Sequence, residues 1–369
     1  MSQVNQKMLI SSSPHVHQRF STSRIMWSVV LCLIPAAIWG IYIFGPHSVI
    51  VLTASVAAAV ATEGVFNLFY KKVTVLDGSA FLTGFLVGFN MPPSVPIFIP
   101  IIASVFAIAV VKWTFGGLGT NWMNPALAGR VFVFFSWTGR MTIWNTPSTW
   151  ESIDAVTSAS PLGAVKSGLM SFSGVASGPM DLLTSQGYGQ SSMDASVTSW
   201  LNSTIFAPLH ISIPSGYVDL FVGNIPGCIG EVSALLLLIG TIYLFANKII
   251  TWEIPVSYLL SFSVLIWIFG GTLFDNGLFS GDVTFHLFTG GLMLGVFYMA
   301  TDMVTSPLNS KGQLIFGIGA GVLTFLIRLY GSFPEGVSLA IILMNIFVPF
   351  IDRYTQPKRF GVNGKGTAE

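Results

Sequence analysis

The chain has 369 residues, with 16 Lys+Arg against 15 Asp+Glu and a formal charge of +1. Charged residues make up 8% and hydrophobic ones 52%, with a mean hydropathy of +0.74, whereas a soluble domain is about 25% charged. That balance excludes a nucleic-acid binder built on a basic patch and makes lipid the principal solvent.

Met1 to Arg24 is polar and carries Lys7, Arg19 and Arg24. The apolar run Ile25–Phe44 that follows reaches the roughly 20 residues of a membrane helix. It lacks the small-residue cleavage site of a signal peptide, so it reads as a retained first span. Four further segments complete a first group: Val49–Tyr70, Ser79–Met91, Pro96–Phe115 and Pro125–Trp137. After a long polar stretch a second group of five follows: Phe221–Ala246, Ile249–Phe269, Phe285–Met299, Gly312–Tyr330 and Val337–Phe350. Ser79–Met91, Pro125–Trp137 and Val337–Phe350 are short, as half-helices buried inside a protein are.

The expected fold is an all-α integral membrane protein of about ten transmembrane helices. Its parts are a cytoplasmic segment 1–24, a membrane repeat 25–138, an extracytoplasmic loop 139–217, a second membrane repeat 218–352 and a cytoplasmic tail 353–369. The Lys/Arg bias of the loops sets the direction. With the N-terminus inside, ten spans place Lys71, Lys72, Lys248, Lys311, Arg353, Lys358, Arg359 and Lys365 inside too. Gly139 to Tyr217 then lies outside with only Arg140 and Lys166. Five spans per group give the groups opposite orientation, the inverted-repeat plan of many transporters. Thr83-Gly84…Gly88 and Thr289-Gly290-Gly291…Gly295 carry the internal likeness, with small residues four apart for close helix contact.

The two cysteines, Cys32 and Cys228, lie in apolar segments and suit packing; they form neither a disulfide framework nor a metal-ligand spacing. Ionisable residues at membrane depth carry functional weight because their burial is costly. Glu63 and Glu231 fall within the second and sixth segments. Lys112, Arg130 and Arg328 are the basic counterparts. Asp77 and Asp302, near the inner side with hydroxyls beside them, offer the oxygen ligands a hard cation takes and mark a candidate ion path. His286 reads as a hydrogen-bonded packing residue. Asn121 and Asn124 stand at the mouth of the segment starting at Pro125. Their amides donate and accept, as the edge of a flavin ring requires, while Asn124-Pro125 equally suits a helix N-cap.

The outer loop contains Asp154-Ala155-Val156-Thr157-Ser158-Ala159-Ser160-Pro161-Leu162, by composition a small-residue turn with three hydroxyls and one carboxylate. This stretch resembles the flavin-transfer motif of the RnfD and NqrB family of membrane subunits, Asp-x-x-Ser/Thr-Gly-Ala-Thr/Ser. Ser158 stands where Gly is usual, and Ser160 where Thr is commoner. The resemblance runs through Ser12-Ser13-Pro14-His15, Asp77 to Gly84, Gly116 to Ala126, Ala300 to Pro307, Gly312 to Gly317 and Pro349 to Thr355, nearly the whole chain in one order. The short N-terminus favours the Rnf branch.

The resemblance implies a covalent flavin mononucleotide (FMN) on the Ser160 hydroxyl through a phosphoester, with Asp154 and Thr157 as motif residues. It also implies a noncovalent riboflavin in the membrane domain, for which Asn121 and Asn124 are the candidate neighbours. It further implies membership of a ferredoxin:NAD oxidoreductase complex that moves Na+ or H+ across the inner (cytoplasmic) membrane of a prokaryote, with both termini cytoplasmic. No catalytic residue and no metal ligand is assigned to this chain. Expected partners are the other Rnf proteins, RnfA, RnfB, RnfC, RnfE and RnfG, above all the flavin-bearing RnfG and the NAD-site RnfC, together with a flavin transferase and the bilayer. The alternatives are the quinone-reducing NqrB type, a cofactor-free secondary transporter and a non-catalytic scaffold.

Overall fold

The computed structural model describes residues 21–71, 74–148, 157–171, 178–186, 188–209, 213–333 and 335–356. Helix α1 (Thr22–Phe44) opens on Ser21, whose hydroxyl accepts from the Arg24 amide, and α2 (His47–Tyr70) follows a short turn at Gly45-Pro46. Short helices come next: α3 (Ser79–Phe89), α4 (Phe98–Phe106, continued as a π-helix to Trp113), α5 (Pro125–Ser136) and α6 (Thr138–Met141). The loop region contributes α7 (Pro161–Ser171), α8 (Pro179–Ser185) and α9 (Ser192–Leu201). The rest comprises α10 (Tyr217–Val222), α11 (Ala234–Ala246), α12 (Glu253–Phe269), α13 (Val283–Phe288), α14 (Leu292–Leu294, continued as a π-helix to Met299), α15 (Ser310–Leu329) and α16 (Val337–Thr355). Among the described residues the only ladder is two residues long, Trp144-Asn145 antiparallel to Thr157-Ser158.

Among the described residues five helices are long and apolar enough to cross a membrane: α1, α2, α12 with its 3-10 extension to Phe274, α15 and α16. Shorter apolar helices stand beside them at Ser79–Phe89, Phe98–Trp113, Pro125–Ser136 and Ala234–Ala246. Leu31, Ile38 and Tyr42 of α1, Leu260 and Trp267 of α12, and Ile346, Phe347 and Phe350 of α16 all point outward. In water this apolar surface would be a liability, while in hydrocarbon it is at home. The chain is a mostly helical, multi-pass membrane protein.

Small residues bring helices together. A Cβ on Gly84 would come within 2.8 Å of the Val56 Cα and 2.9 Å of the Ser55 carbonyl on α2. Gly317 and Gly321 do the same for α15 on α12, against the Ile254 and Tyr258 carbonyls. The sequence likeness of Gly84/Gly88 to Gly291/Gly295 is not matched in packing, because Gly291 faces the Glu231 carboxylate and Gly295 faces Val337.

Three segment boundaries differ from the sequence expectation. Phe221–Ala246 is not one helix: Gly223, in the left-handed region at φ 94°, then Pro226, Gly227 and Gly230 interrupt it, so residues 223–233 are non-helical. Glu231 therefore sits in a break rather than on a span. Phe285–Met299 is likewise broken at Thr289–Gly291, with Gly290 at φ 67°. Val337–Phe350 is longer than expected, because α16 carries Pro349 inside it and runs on to Thr355.

Non-helical backbone buried in a protein must find its partners there. Here the break meets the irregular turn after α3: the Ile229 amide donates to the Met91 carbonyl (3.1 Å) and the Gly230 amide to the Phe89 carbonyl (3.0 Å). A Cβ on Gly230 would strike the Phe89 ring at 2.1 Å, so the approach requires glycine.

Candidate functional site

Ser160 begins α7. Its carbonyl accepts from the Ala164 amide (2.8 Å), and its hydroxyl accepts from the Gly163 amide (3.3 Å). Ser160 thus acts as the helix cap, with Pro161 in the first helical position, where its missing N–H costs nothing. Lys166, one and a half turns on, donates to the Arg328 and Phe333 carbonyls (3.4 Å each) and to the Gly331 carbonyl. The Arg328 carbonyl lies in the last turn of α15 and the other two in the turn just beyond it, where a cation is favoured. Burial pulls the Lys166 ammonium below the ordinary lysine value. α7 is thereby pinned to the membrane helices, and Ser160 is buried at 5% exposure.

The hydroxyl lines a cavity of about 260 Å³. Phe134, Met141, Trp144 and Phe333 form apolar walls; Asn90, Arg130, Glu335 and Ser338 form a polar floor. Arg130 organises that floor. Its Nη1 donates to Glu231 (2.7 Å), Asn90 (2.8 Å) and Ser338 (2.9 Å), and its Nη2 to Glu335 and, at 3.6 Å, to the Cys228 sulfur. Cys228, Glu231 and Glu335 offer ligand atoms within 4.8 Å of one another, and the guanidinium, bonded to all three, is the cation they hold.

A second cavity, of about 110 Å³, opens at the other end of α5 and is lined by Asn121, Asn124, Ser79, Lys112 and Asp302. The Asn124 oxygen accepts from the Ala126 (3.0 Å) and Leu127 (3.3 Å) amides, capping α5, and its amide donates to the Met299 carbonyl (3.2 Å). Asn121 differs: its side-chain oxygen is buried with no hydrogen-bond partner among the described residues. A buried polar atom left so costs about 1–3 kcal/mol, so this oxygen is an open acceptor for a molecule in the cavity, an ordered water included. Asp302 accepts from the Val304 amide (3.3 Å) and the Thr305 hydroxyl (3.1 Å). Asp77 stands one bond behind the cavity, accepting from the Ser79 hydroxyl (2.5 Å), which in turn accepts from Lys112 (2.7 Å). Lys112 is paired with Glu63 at 2.9 Å, both fully buried, and Trp113 and Thr74 complete the carboxylate's bonds.

The chain matches the family model described as the NQR2, RnfD, RnfE family over residues 9–361. It belongs to that family. Among relatives, it is 44% identical to the D component of the proton-translocating ferredoxin:NAD(+) oxidoreductase complex of Clostridium ljungdahlii, over 95% of this chain and 96% of that one. It is 40% identical to the D component of the Na(+)-translocating ferredoxin:NAD(+) oxidoreductase complex of Acetobacterium woodii, over 96% of both. It is 36% identical to the D component of the ion-translocating oxidoreductase complex of Stutzerimonas stutzeri, over 94% of both.

Of the residues singled out from sequence in this family member, Asn121, Asn124 and Asp302 line one cavity, with Asp77 one bond away. Ser160 lines the other. The Thr157 backbone pairs with Asn145, and Asp154 lies outside the described residues. His286 is buried; its carbonyl accepts from Arg328 (2.5 Å), but its Nδ1 has no partner among the described residues. Sequence reasoning missed the assembly of Arg130, Glu231 and Glu335 around the Ser160 cavity. The costliness of ionisable groups in an apolar sequence was the available signal. It flagged Arg130 and Glu231 singly but not as a pair, 101 positions apart.

Proposed function

We propose that this chain is the flavin-carrying membrane subunit of an ion-translocating ferredoxin:NAD oxidoreductase complex, with FMN esterified to Ser160. The observation that carries this reading is the placement of the Ser160 hydroxyl: at the start of an 11-residue helix, on a cavity walled by aromatic rings. A helix N-terminus favours phosphate through its free amides and its dipole. Gly163 adds room, since a Cβ there would stand 3.2 Å from the hydroxyl. At about 260 Å³ the cavity approaches the roughly 300 Å³ lower bound of small-molecule sites. Bound there, flavin would supply the electron-accepting and -donating chemistry, and the protein supplies position and electrostatics.

The second cavity is the proposed seat of noncovalent riboflavin, supported by the unpartnered Asn121 oxygen. Its 110 Å³ falls below that bound, so a three-ring ligand must displace side chains to enter. The two cavities lie at opposite ends of a stretch from Asn124 to Arg130, six residues or about 9 Å of helix. Asp302, and Asp77 behind Ser79, belong to the proposed path of H+ or Na+.

The reading includes ten membrane segments in two inverted groups, in the cytoplasmic membrane of a prokaryote, with both termini inside and the Ser160 loop outside. Its support is the gathering of basic ends: Arg24, Lys71, Lys248, Lys311 and Arg353 all fall at the ends of helices away from the Ser160 loop. Partner proteins of the complex and a flavin transferase follow from the same reading.

The deciding experiment is mass spectrometry of the Ser160 peptide from protein made with its native transferase. The expected result is an added mass of FMN less water, absent in Ser160→Ala. An unmodified wild-type peptide refutes the assignment. Retention of covalent flavin by Ser160→Ala moves it to another residue.

A further inference from the structure

The floor of the Ser160 cavity has a particular hydrogen-bonding remainder. The two Nη atoms of Arg130 carry four hydrogens and already face five acceptors. Asn90 is also spent: its oxygen accepts from Arg130 and its amide donates to the Leu86 carbonyl at 2.6 Å. Two groups on the cavity floor remain open among the described residues. Glu335 uses Oε2 on Arg130, which leaves Oε1 as an acceptor. Ser338 accepts from Arg130, which leaves its hydroxyl proton as a donor. Both side chains are held by the same guanidinium and line the same cavity, so an acceptor and a donor share one floor.

An acceptor beside a donor complements a cyclic imide, a ring N–H flanked by carbonyls. The walls above, Phe134, Trp144 and Phe333, suit a flat aromatic ring. We propose that Glu335 and Ser338 form a subsite for the imide edge of a flavin ring, with the Glu335 carboxylate taking the ring N–H and the Ser338 hydroxyl donating to an adjacent ring carbonyl. This rests on the reading of Ser160 as the flavin anchor. Arg130 is a positioning residue here: its two Nη groups hold both contacts in place, and Glu231 balances its charge. Arg328, whose guanidinium stands over the Phe262 ring and bonds the Glu335 carbonyl (3.4 Å), is the next cation.

The charge on Glu335 has a consequence. A carboxylate against the ring opposes the extra electron density of the reduced form, and in a site of low dielectric this opposition is strong. Glu335→Gln keeps the shape and one acceptor oxygen for the ring N–H, gives up the acceptor toward Arg130, and removes the charge.

The test is spectroelectrochemistry of the purified complex, on protein whose covalent flavin has first been confirmed by in-gel fluorescence. Glu335→Gln is expected to keep its flavin and to favour reduction at least tenfold, an upward shift of about 30 mV for a two-electron couple. Glu335→Asp, which restores the charge, is expected to return most of that shift. Ser338→Ala is expected to displace the visible flavin absorption maximum by removing a donor to a ring carbonyl, and it keeps the test alive if the Glu335 variants do not accumulate. A flavin in Glu335→Gln whose potential matches wild type overturns the subsite, as does an unmoved spectrum in Ser338→Ala. Absence of covalent flavin from the wild-type chain overturns the Ser160 reading instead, so the two failures are distinct.

Discussion

Replacing Arg130 by Met tests whether the buried floor is held together by one guanidinium. The side chains of Arg130 and Glu231 are 8% and 3% exposed, and that of Glu335 is 15%. Removing one partner of a buried ion pair typically costs about 3–5 kcal/mol, because the other charge is left uncompensated. Arg130→Met strands two carboxylates at once and leaves the Asn90 oxygen without its donor, worth about 1–3 kcal/mol more. Relaxation and protonation of the carboxylates offset part of this, so a loss of about 4–6 kcal/mol is expected. Against a typical native stability of about 5–15 kcal/mol, that brings the protein near its unfolding threshold. The assay is thermal unfolding in detergent, with wild type, Arg130→Met, Glu231→Gln and the double variant run together. Because the residues share one network, the double variant should lose much less than the sum of the singles. Additive losses, or an Arg130→Met protein as stable as wild type, would refute the view of the cluster as a mutually dependent unit.

Other outcomes follow from local geometry. Gly84→Val places its Cβ against α2 backbone that cannot yield, so stability should fall by about 1–3 kcal/mol or more, read as a lower unfolding midpoint in detergent. Asn121→Leu removes an unpartnered buried oxygen, so flavin-free protein should be as stable as wild type or more so, while noncovalent flavin recovered on denaturation should be lost. Lys112→Met orphans the fully buried Glu63 and should cost about 3–5 kcal/mol, and Glu63→Gln added to it should restore part of the loss. Lys166→Met releases α7 from the end of α15, and faster proteolysis within 157–171 is the expected signature.

The apolar long helices were legible because length and composition alone identify them: α1, α2 and α15 fall within a few residues of the segments marked in the sequence. The short helices α3 and α5 were legible too, bounded by Asp77-Gly78 and Asn124-Pro125, which punctuate the chain chemically. The breaks were harder. Residues 223–233 place Ile225, Ile229 and Val232 next to the strongly apolar run that follows, while three glycines and one proline, with Asn224, Glu231 and Ser233 between them, mark a buried turn rather than a span. The Ser160 motif could be located but not its surroundings, since the cavity draws on residues from Asn90 to Leu339. Glu335 carried no signal at all: beside Pro334 and Gly336 it looks like an ordinary exposed turn residue, and only the fold turns it onto Arg130.

The two amide-to-carbonyl links joining residues 229–230 to 89–91 fasten the early helices to the later ones through buried main chain. Main-chain links of this kind resist sliding in a way that side-chain contacts, free to change rotamer, do not. Rocking one half of the molecule against the other would have to break this stitch, whereas shifts of single side chains and loop ends around it would leave the seam stationary.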